Sequence, residues 1–516
     1  MPPPAQILWV DDEIESLRSL IVSLESMGHH VESVTNGDDA IALVRRGGID
    51  LVLLDEMMTG LDGVSTLRAV RDLDPTIPVV MVTKVEEEEL MDRAYEARAD
   101  DILIKPVRPS QVRAVVKKLL DSERIVGDGI RRDYGREMAR VMGEISGGLD
   151  PEGWLRVACW LFRRQIELER LGDAALLDTH ADLRRDANRS FFRSVSAEYR
   201  SWLDEAGPLL SHRILDRAVV PILGAGEKLL FVVLDCVRAD QWIALEPHLR
   251  DVFAVEPAYG FALLPTATPF ARNAIFGGAL PSQIRRDHPD LWEDDFNSVA
   301  SLNRHEEELL RLAMKARGFG GLKLRYERVD GGDMAHDLAQ RLLSSADIDL
   351  YSVVYGFLDL LAHKSSESEV LQEITATEAA YRDLTTTWFA HSPLQELLRA
   401  AARTGRTVVL TSDHGSVTVQ RGAKVVGDRK TSKAVRYKVG RNIHADRRQA
   451  LDIRDPEGWG LPATSINTNY LIASGDHFFV YPNQQREYER RLTGTLQHGG
   501  LSLEEMVIPI VTLRPR

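Results

Sequence analysis

Cysteine is nearly missing: Cys159 and Cys236 are the only two in 516 residues. A disulfide framework needs several pairs and a cysteine-based zinc site needs closely spaced thiols, so both are excluded. Long apolar runs are missing as well, and none approaches the roughly 20 residues that span a bilayer. The opening MPPPAQILWVDDE has neither the basic segment nor the apolar core of a secretory signal, so a cytoplasmic protein is expected. Positive charge is not in excess. Lys and Arg number 64 against 78 Asp and Glu, a net charge of −14. That argues against a general nucleic-acid coat or a polybasic membrane binder. What is present is ordinary globular composition, 44% hydrophobic and 28% charged, in a chain too long for one core.

Three stretches read differently. Over 1–120, short apolar runs (ILWV, DLVLL, PVVMV, DILI) alternate with helix-like segments, the pattern of a doubly wound (βα)5 α/β domain. Over 121–215 the strand signal vanishes. Segments such as WLRVACWLFRRQIELERL carry apolar residues at helical spacing, which predicts a helical module acting as a spacer or dimer-coupling bundle. Over 216–516 strands return (KLLFVVLD, LYSVVYGFLD, TVVLTSD, VIPIV) with helical segments between them, predicting a second α/β domain.

Open parallel sheets present reactive residues beyond the carboxyl ends of their strands. Asp11, Asp12 and Asp55 fall at such ends in the first domain. Three carboxylates in one crevice repel each other, and a hard cation such as Mg²⁺ relieves that repulsion. Lys105 can balance a phosphoryl group accepted by one of them, and Thr83 can donate to its oxygens. The set VDDE, LLDEMMTGLDG, Thr83 and Lys105-Pro106 resembles the receiver domain of two-component response regulators. That resemblance implies Asp55 as phospho-acceptor, Mg²⁺ held by Asp12, Asp55 and the Met57 carbonyl with Asp11 nearby, and a sensor histidine kinase as partner. It also implies a homodimer promoted by phosphorylation through the last helices. Thr59 and Ile102 depart from the family pattern, which has proline and often an aromatic at these places.

The last stretch carries more chemistry. Asp235 ends one predicted strand, Asp359 follows another, and Asp413-His414 ends a third. His363 stands four residues after Asp359, on the same face if a helix begins there. His498 lies in QHGG, whose glycines let backbone approach a metal or ligand closely. Mixed oxygen and nitrogen donors of this kind suit Zn²⁺ or Mn²⁺. LLPTATPFARNAIFGG adds two threonines where a helix is expected to open. This order resembles the alkaline phosphatase superfamily and within it the PglZ branch, an α/β fold with two metals about 4 Å apart. The resemblance implies one metal on Asp359, His363 and His498. It puts the other on Asp235, Asp413, His414 and a nucleophilic threonine, Thr268 with Thr266 as the alternate. The order of receiver, helical module and PglZ domain resembles PorX-like response regulators of type IX secretion.

From Arg421 to Arg448 basic residues outnumber Asp428 and Asp446 by ten to two. Following directly on Asp413-His414, this stretch is expected to rim the site. Lys430, Lys433 and Arg436 would hold a nucleotide-like or oligonucleotide phosphodiester, with Tyr437 stacking on it. The expected function is a response regulator controlling a metal-dependent phosphodiesterase or phosphatase. The alternative is a non-catalytic adaptor docking a sigma factor or secretion component. No helix-turn-helix with a basic recognition helix follows the first domain, so a conventional DNA-binding regulator is not expected.

Overall fold

The computed structural model describes residues 5–516 except 76, 85–87, 297–301, 330–334, 336, 366–372, 374, 376, 428–430 and 483–484. Of 88–90, 121–128 and 362–365 it describes the backbone only. The chain divides into two compact units, Met1–Glu137 and Met138–Arg516.

The first unit is built on five parallel strands: β1 (Gln6–Val10), β2 (His30–Val34), β3 (Leu51–Asp55), β4 (Val79–Thr83) and β5 (Asp101–Ile104), in the order β2-β1-β3-β4-β5. Their apolar runs are continuous because both sheet faces are covered. Ile7 and Trp9 enter one core cluster while Leu8 and Val10 enter the other, as alternating side chains require. Helices α1 (Arg18–Glu25), α2 (Gly37–Arg46), α3 (Gly63–Leu73) and α4 (Glu88–Glu96) supply the covering layers. Asn36 and Asp62 cap α2 and α3 by accepting the Asp39 and Ser65 amides at 2.9 and 2.7 Å. Strand order reverses between β1 and β3, so the crevice opens beyond Val10 and Asp55.

Helix α5 (Pro109–Gly147) carries the chain into the second unit, where α6 (Pro151–Leu171) and α7 (Ala174–Trp202) follow. Asp150 caps α6 at 2.7 Å with Pro151 in its first turn. Trp154, Leu161, Phe191 and Trp202 share one core cluster with Phe231, Phe261 and Phe276 of the following domain. Phe191 stacks on Phe261 at 6.0 Å and Trp202 lies 4.9 Å from the same ring. So much aromatic surface is worth more buried than exposed, and it fixes α6 and α7 to the sheet.

His180 of α7 sits fully buried in that seam, 2.9 Å from the Leu161 carbonyl. Burial lowers its pKa to about 4, so the folded chain keeps it neutral. Between pH 6.5 and about 4 the unfolded chain takes up this proton and the folded one does not. The associated stability is complete above that window and lost as pH falls through it, at most about 3 kcal/mol. His180→Gln keeps a donor but does not titrate. Its melting temperature is expected to fall less than that of the parent between pH 7 and 4.5, and equal falls in a calorimetric series would refute this.

The central sheet of the second unit comprises β6 (Leu229–Leu234), β7 (Phe253–Phe261), β8 (Leu324–Val329), β9 (Leu350–Tyr355), β10 (Thr407–Ser412) and β18 (Val507–Pro515). Its order is β7-β18-β10-β6-β9-β8, with β10, β6, β9 and β8 parallel and β18 antiparallel to β10 and β7. Short strands occupy the stretch after β10: β11 (Val417–Thr418), β12 (Arg421–Lys424), β13 (Tyr437–Arg441), β14 (Ala450–Ile453), β15 (Thr468–Ala473), β16 (His477–Val480) and β17 (Leu496–Gln497). They pair as β11–β17, β12–β16 and β13-β15-β14. No helix among the described residues is long and apolar enough to cross a membrane.

Candidate functional site

Two clusters of chemistry-bearing residues stand at the strand ends. In the first unit the carboxylates of Asp11, Asp12 and Asp55 lie within 4.8 Å of one another. Lys105 Nζ donates to Asp11 Oδ2 at 2.7 Å and pairs with Asp55 Oδ1 at 3.0 Å. Asp12 is exposed and Thr59 Oγ1 lies 3.5 Å from its Oδ2. Burial pushes the Asp55 carboxyl above its ordinary range, against the pull of Lys105. Burial alone would lower Lys105, but the hydrogen bonds it donates to Asp11 and Asp55, with their negative charges, outweigh it and hold the ammonium above its usual value. One lysine cannot neutralise three carboxylates, and a hard divalent cation fits the remainder. Thr83 is buried at the end of β4, next to β3, and Met57 follows in the β3–α3 loop with its side chain exposed. Gly63 is required here: a Cβ would stand 2.5 Å from the Asp55 carbonyl oxygen.

In the second unit β6, β9 and β10 are neighbours, and their carboxyl ends bring together Asp235, Asp359 and Asp413-His414. Ligand atoms of Asp235, Asp413 and His414, all buried, lie within 4.8 Å of one another. The Cys236 and His414 amides donate to Asp413 Oδ1 at 3.1 and 2.9 Å. Asp413 Oδ2 and Asp235 Oδ1 are buried without a hydrogen-bond partner. Burial, then the neighbouring Asp235 charge, drives the Asp413 carboxyl well above the usual range. Two buried carboxylates with orphaned oxygens are costly unless a cation takes them up, so this donor set fits a metal.

His414 Nδ1 lies 3.1 Å from the Gly415 carbonyl, which assigns the proton to Nδ1 and leaves the Nε2 lone pair facing the cluster. Burial lowers its pKa, in keeping with a neutral ring. Its ring stacks on His498 at 4.3 Å, and His498 Nε2 lies 3.6 Å from Asp359 Oδ1. His363 falls in the helix Phe357–Ser365 with Asp359, and its side chain is outside the described residues.

The threonines separate by environment. Thr268 opens the helix Thr268–Gly277, and its Oγ1 lies 3.1 Å from His414 Nε2, to which it can donate. Asn303 fixes its backbone by donating to the Thr268 carbonyl at 3.2 Å. Thr266 is fully buried; it donates to the Gly500 carbonyl at 2.7 Å and accepts the Gly499 amide at 3.2 Å. Thr266 therefore ties down the loop of His498, and Thr268 is the hydroxyl in the cluster.

Three sequence expectations need correction. Arg436 is not a rim residue. It is fully buried, ion-paired with Glu505 and bonded to the Gly475 carbonyl at 2.8 Å. Tyr437 cannot stack on a ligand, because it is buried edge-on to Phe270 at 5.6 Å. The glycines of QHGG approach these two side chains rather than a ligand: a Cβ on Gly499 would stand 2.7 Å from the Tyr437 ring, and one on Gly500 2.1 Å from the Arg436 guanidinium. Lys433 is exposed, and Lys430 lies outside the described residues. Arg272 escaped the sequence reading altogether. It is buried one turn after Thr268 and ion-paired with both Asp235 and Glu306, and Tyr326 donates to the latter at 2.5 Å. Its place four residues beyond Thr268, on the same helix face, was the available signal.

Family models match as the response regulator receiver domain over residues 7–117, the PorX response regulator linker domain over 124–203, and the BREX system PglZ alkaline phosphatase-like domain over 214–513. The last spans more than half of the chain. The transcriptional regulatory protein ResD of Bacillus subtilis is 40% identical over 115 residues, which is 22% of this chain and 48% of ResD. ZraR of Salmonella typhimurium, also a transcriptional regulatory protein, is 36% identical over 121 residues, 23% of this chain and 27% of ZraR. The chain thus spans less than half the length of these curated relatives. Among solved structures, a CheY-like receiver domain protein from Methanospirillum hungatei matches at 28% identity and a TM-score of 0.23, covering 23% of this chain and 95% of its own.

Proposed function

The chain belongs to the PglZ alkaline phosphatase-like family, joined to a response regulator receiver domain and a PorX linker domain, and from that premise we propose that phosphorylation of Asp55 by a sensor kinase controls a metal-dependent hydrolase of phosphoric esters in type IX secretion signalling. The observation that carries the hydrolase reading is Thr268 Oγ1 at 3.1 Å from His414 Nε2, at a helix N-terminus and against buried carboxylates. A helix N-terminus favours a phosphoryl anion. Asp235, Asp413 and His414 would hold one metal, and Asp359, His363 and His498 a second. Zinc or manganese there would lower the pKa of the Thr268 hydroxyl and neutralise charge on the phosphoryl oxygens.

The chain's own residues set the rest. Asn303 and Pro269 orient the Thr268 backbone, and Arg272 holds Asp235 in place. The Thr268 oxygen forms a bond to phosphorus as one ester oxygen departs with the threonine proton; water then breaks the threonine–phosphorus link and releases the phosphate monoester that keeps the second ester arm. Arg272 is engaged by Asp235 and Glu306, so it is not free to balance a monoester dianion. This favours diesters, which bring one negative charge.

Metal analysis of purified protein with paired substrates tests the reading. Bis(4-nitrophenyl) phosphate is expected to exceed 4-nitrophenyl phosphate at least about tenfold in kcat/KM. Chelation should abolish turnover, and Zn²⁺ or Mn²⁺ should restore it. Turnover that survives exhaustive chelation rejects the metal, and a preference for the monoester rejects the diester assignment.

The receiver makes its own prediction. Beryllofluoride with Mg²⁺ is expected to convert monomer to dimer, and Asp55→Ala to abolish the conversion. Light scattering that shows no change of mass under saturating beryllofluoride would sink it.

A further inference from the structure

A cavity of 1190 Å³ in the second unit is lined by none of Asp235, Thr268, Asp359, Asp413, His414 or His498. One wall is α7, which presents Arg185, Arg189 and Arg193. Their four-residue spacing keeps them on one helix face, about 6 Å apart along the axis. The facing wall, from the short-strand region, presents Arg421, Arg447 and Arg448. On that wall Arg448 pairs with Asp446 at 2.8 Å and Arg421 pairs with Asp476, so the six arginines face two acids of the rim, in a chain whose net charge is −14. The pairs Arg185–Asp182 and Arg189–Asp186 are well exposed and one helical turn apart, so a ligand displaces them at little cost. Arg447 is exposed and has no ion pair among the described residues.

The floor differs from the rim. Arg184 pairs with Glu378 at 2.8 Å and Glu504 at 3.3 Å, and Arg238 reaches Glu378 at 3.0 Å. These buried charges compensate one another, whereas on the rim Arg193 and Arg447 have no ion pair among the described residues and the pairs of Arg185, Arg189 and Arg448 are solvent-exposed. A second cavity, of 660 Å³, shares Phe192, Arg193 and Arg447 with the first and continues past Leu451 to Trp459. Trp459 is braced by stacking on Tyr199 at 5.3 Å. The composite groove is therefore cationic at one end and carries Trp459 at the other, where Asp452 is paired with Arg454 and Asp455 with Arg200.

We propose that this groove binds a nucleoside polyphosphate, with its phosphates along the arginines and its base at the Phe192–Trp459 end. Several guanidiniums converging from two walls match a chain of phosphates, and an aromatic compartment beside them matches a base. A diphosphate or triphosphate supplies charge for guanidiniums on both walls. The ligand is an effector rather than the substrate, because the catalytic cluster lies elsewhere. The floor explains how it would act: Arg238 stands three residues after Asp235, and Glu504 belongs to the short helix that follows the His498 loop.

Calorimetric titration of the full, metal-loaded chain carrying Thr268→Ala tests this without turnover and does not depend on the hydrolase reading. ATP with Mg²⁺ is expected to bind one per chain, at least about tenfold tighter than AMP or inorganic tripolyphosphate. The exposed-site double variant R189E/R447E should weaken ATP at least about tenfold with an unchanged melting temperature, and Asp413→Asn should leave ATP binding intact. ATP binding that ignores R189E/R447E, or that is lost with Asp413→Asn, would place the nucleotide at the metal cluster and overturn the proposal. Tripolyphosphate binding as tightly as ATP would remove the nucleoside. An oligothymidylate that binds more tightly than ATP through the same arginines would replace it with a nucleic-acid strand.

Discussion

Thr268→Ala is expected to cost at least about a thousandfold in phosphodiester turnover, because removing a covalent nucleophile leaves only the catalysis supplied by binding and electrostatics. Metal content and melting temperature should hardly change. Thr268 is only part-buried, and the hydrogen bonds that fix its segment run through the Thr268 carbonyl rather than its hydroxyl. Thr268→Ser should retain a measurable fraction, since it keeps the oxygen and loses only a methyl group. Thr266→Ala makes the informative contrast. It deletes the hydroxyl that bridges the Gly499 amide and the Gly500 carbonyl in a fully buried site. A buried pair of groups left unsatisfied costs about 1–3 kcal/mol each, so this variant should be destabilised first and slowed second. Full turnover in Thr268→Ala would end the nucleophile assignment. Signalling output that persists when turnover is lost would instead favour an adaptor that docks through its metal domain.

How much of this was legible in the sequence depends on burial. β1, β3, β4, β6, β9 and β10 are central parallel strands, and their uninterrupted apolar runs announce them. Reactive residues at their carboxyl ends then follow from chain direction alone, which is why Asp55, Asp235 and Asp413 could be named. β7 could not be read, because FAVEPAYGF exposes its middle and carries a proline where the strand pairs only with β18 on one side. β8 was obscured in the same way by LRYERV, whose central residues are half exposed on the other edge of the sheet. Charge counting failed between Arg421 and Arg448 for a different reason. A tally of lysine and arginine carries no information about partners distant in sequence, and Glu505 lies 69 residues from Arg436. Lys438 of the same stretch is also buried, donating to the Ser432 carbonyl at 2.9 Å, with its pKa lowered to about 8 by burial.

That misreading converts into the second large prediction. Arg436 and Glu505 are both completely inaccessible, and the pair does more than neutralise itself. Glu505 Oε1 accepts the Gly500 amide at 2.7 Å and Glu505 Oε2 accepts Ser502 Oγ at 2.8 Å, while Arg436 holds the Gly475 and His477 carbonyls. Arg436→Met leaves a buried carboxylate without its partner and two carbonyls without a donor. Breaking a buried pair from one side costs about 3–5 kcal/mol. Unfolding in urea should register that loss as a shift in midpoint. Replacing both partners, as Arg436→Met with Glu505→Gln, removes the stranded charge and should cost less than the two single changes summed. Because Gly500 belongs to the loop of His498, any folded Arg436→Met protein should also bind metal less completely. Its turnover should then fall alike for an oligonucleotide and for a small aryl diester. A variant of unchanged stability that loses only the oligonucleotide would return Arg436 to a substrate rim, against its burial.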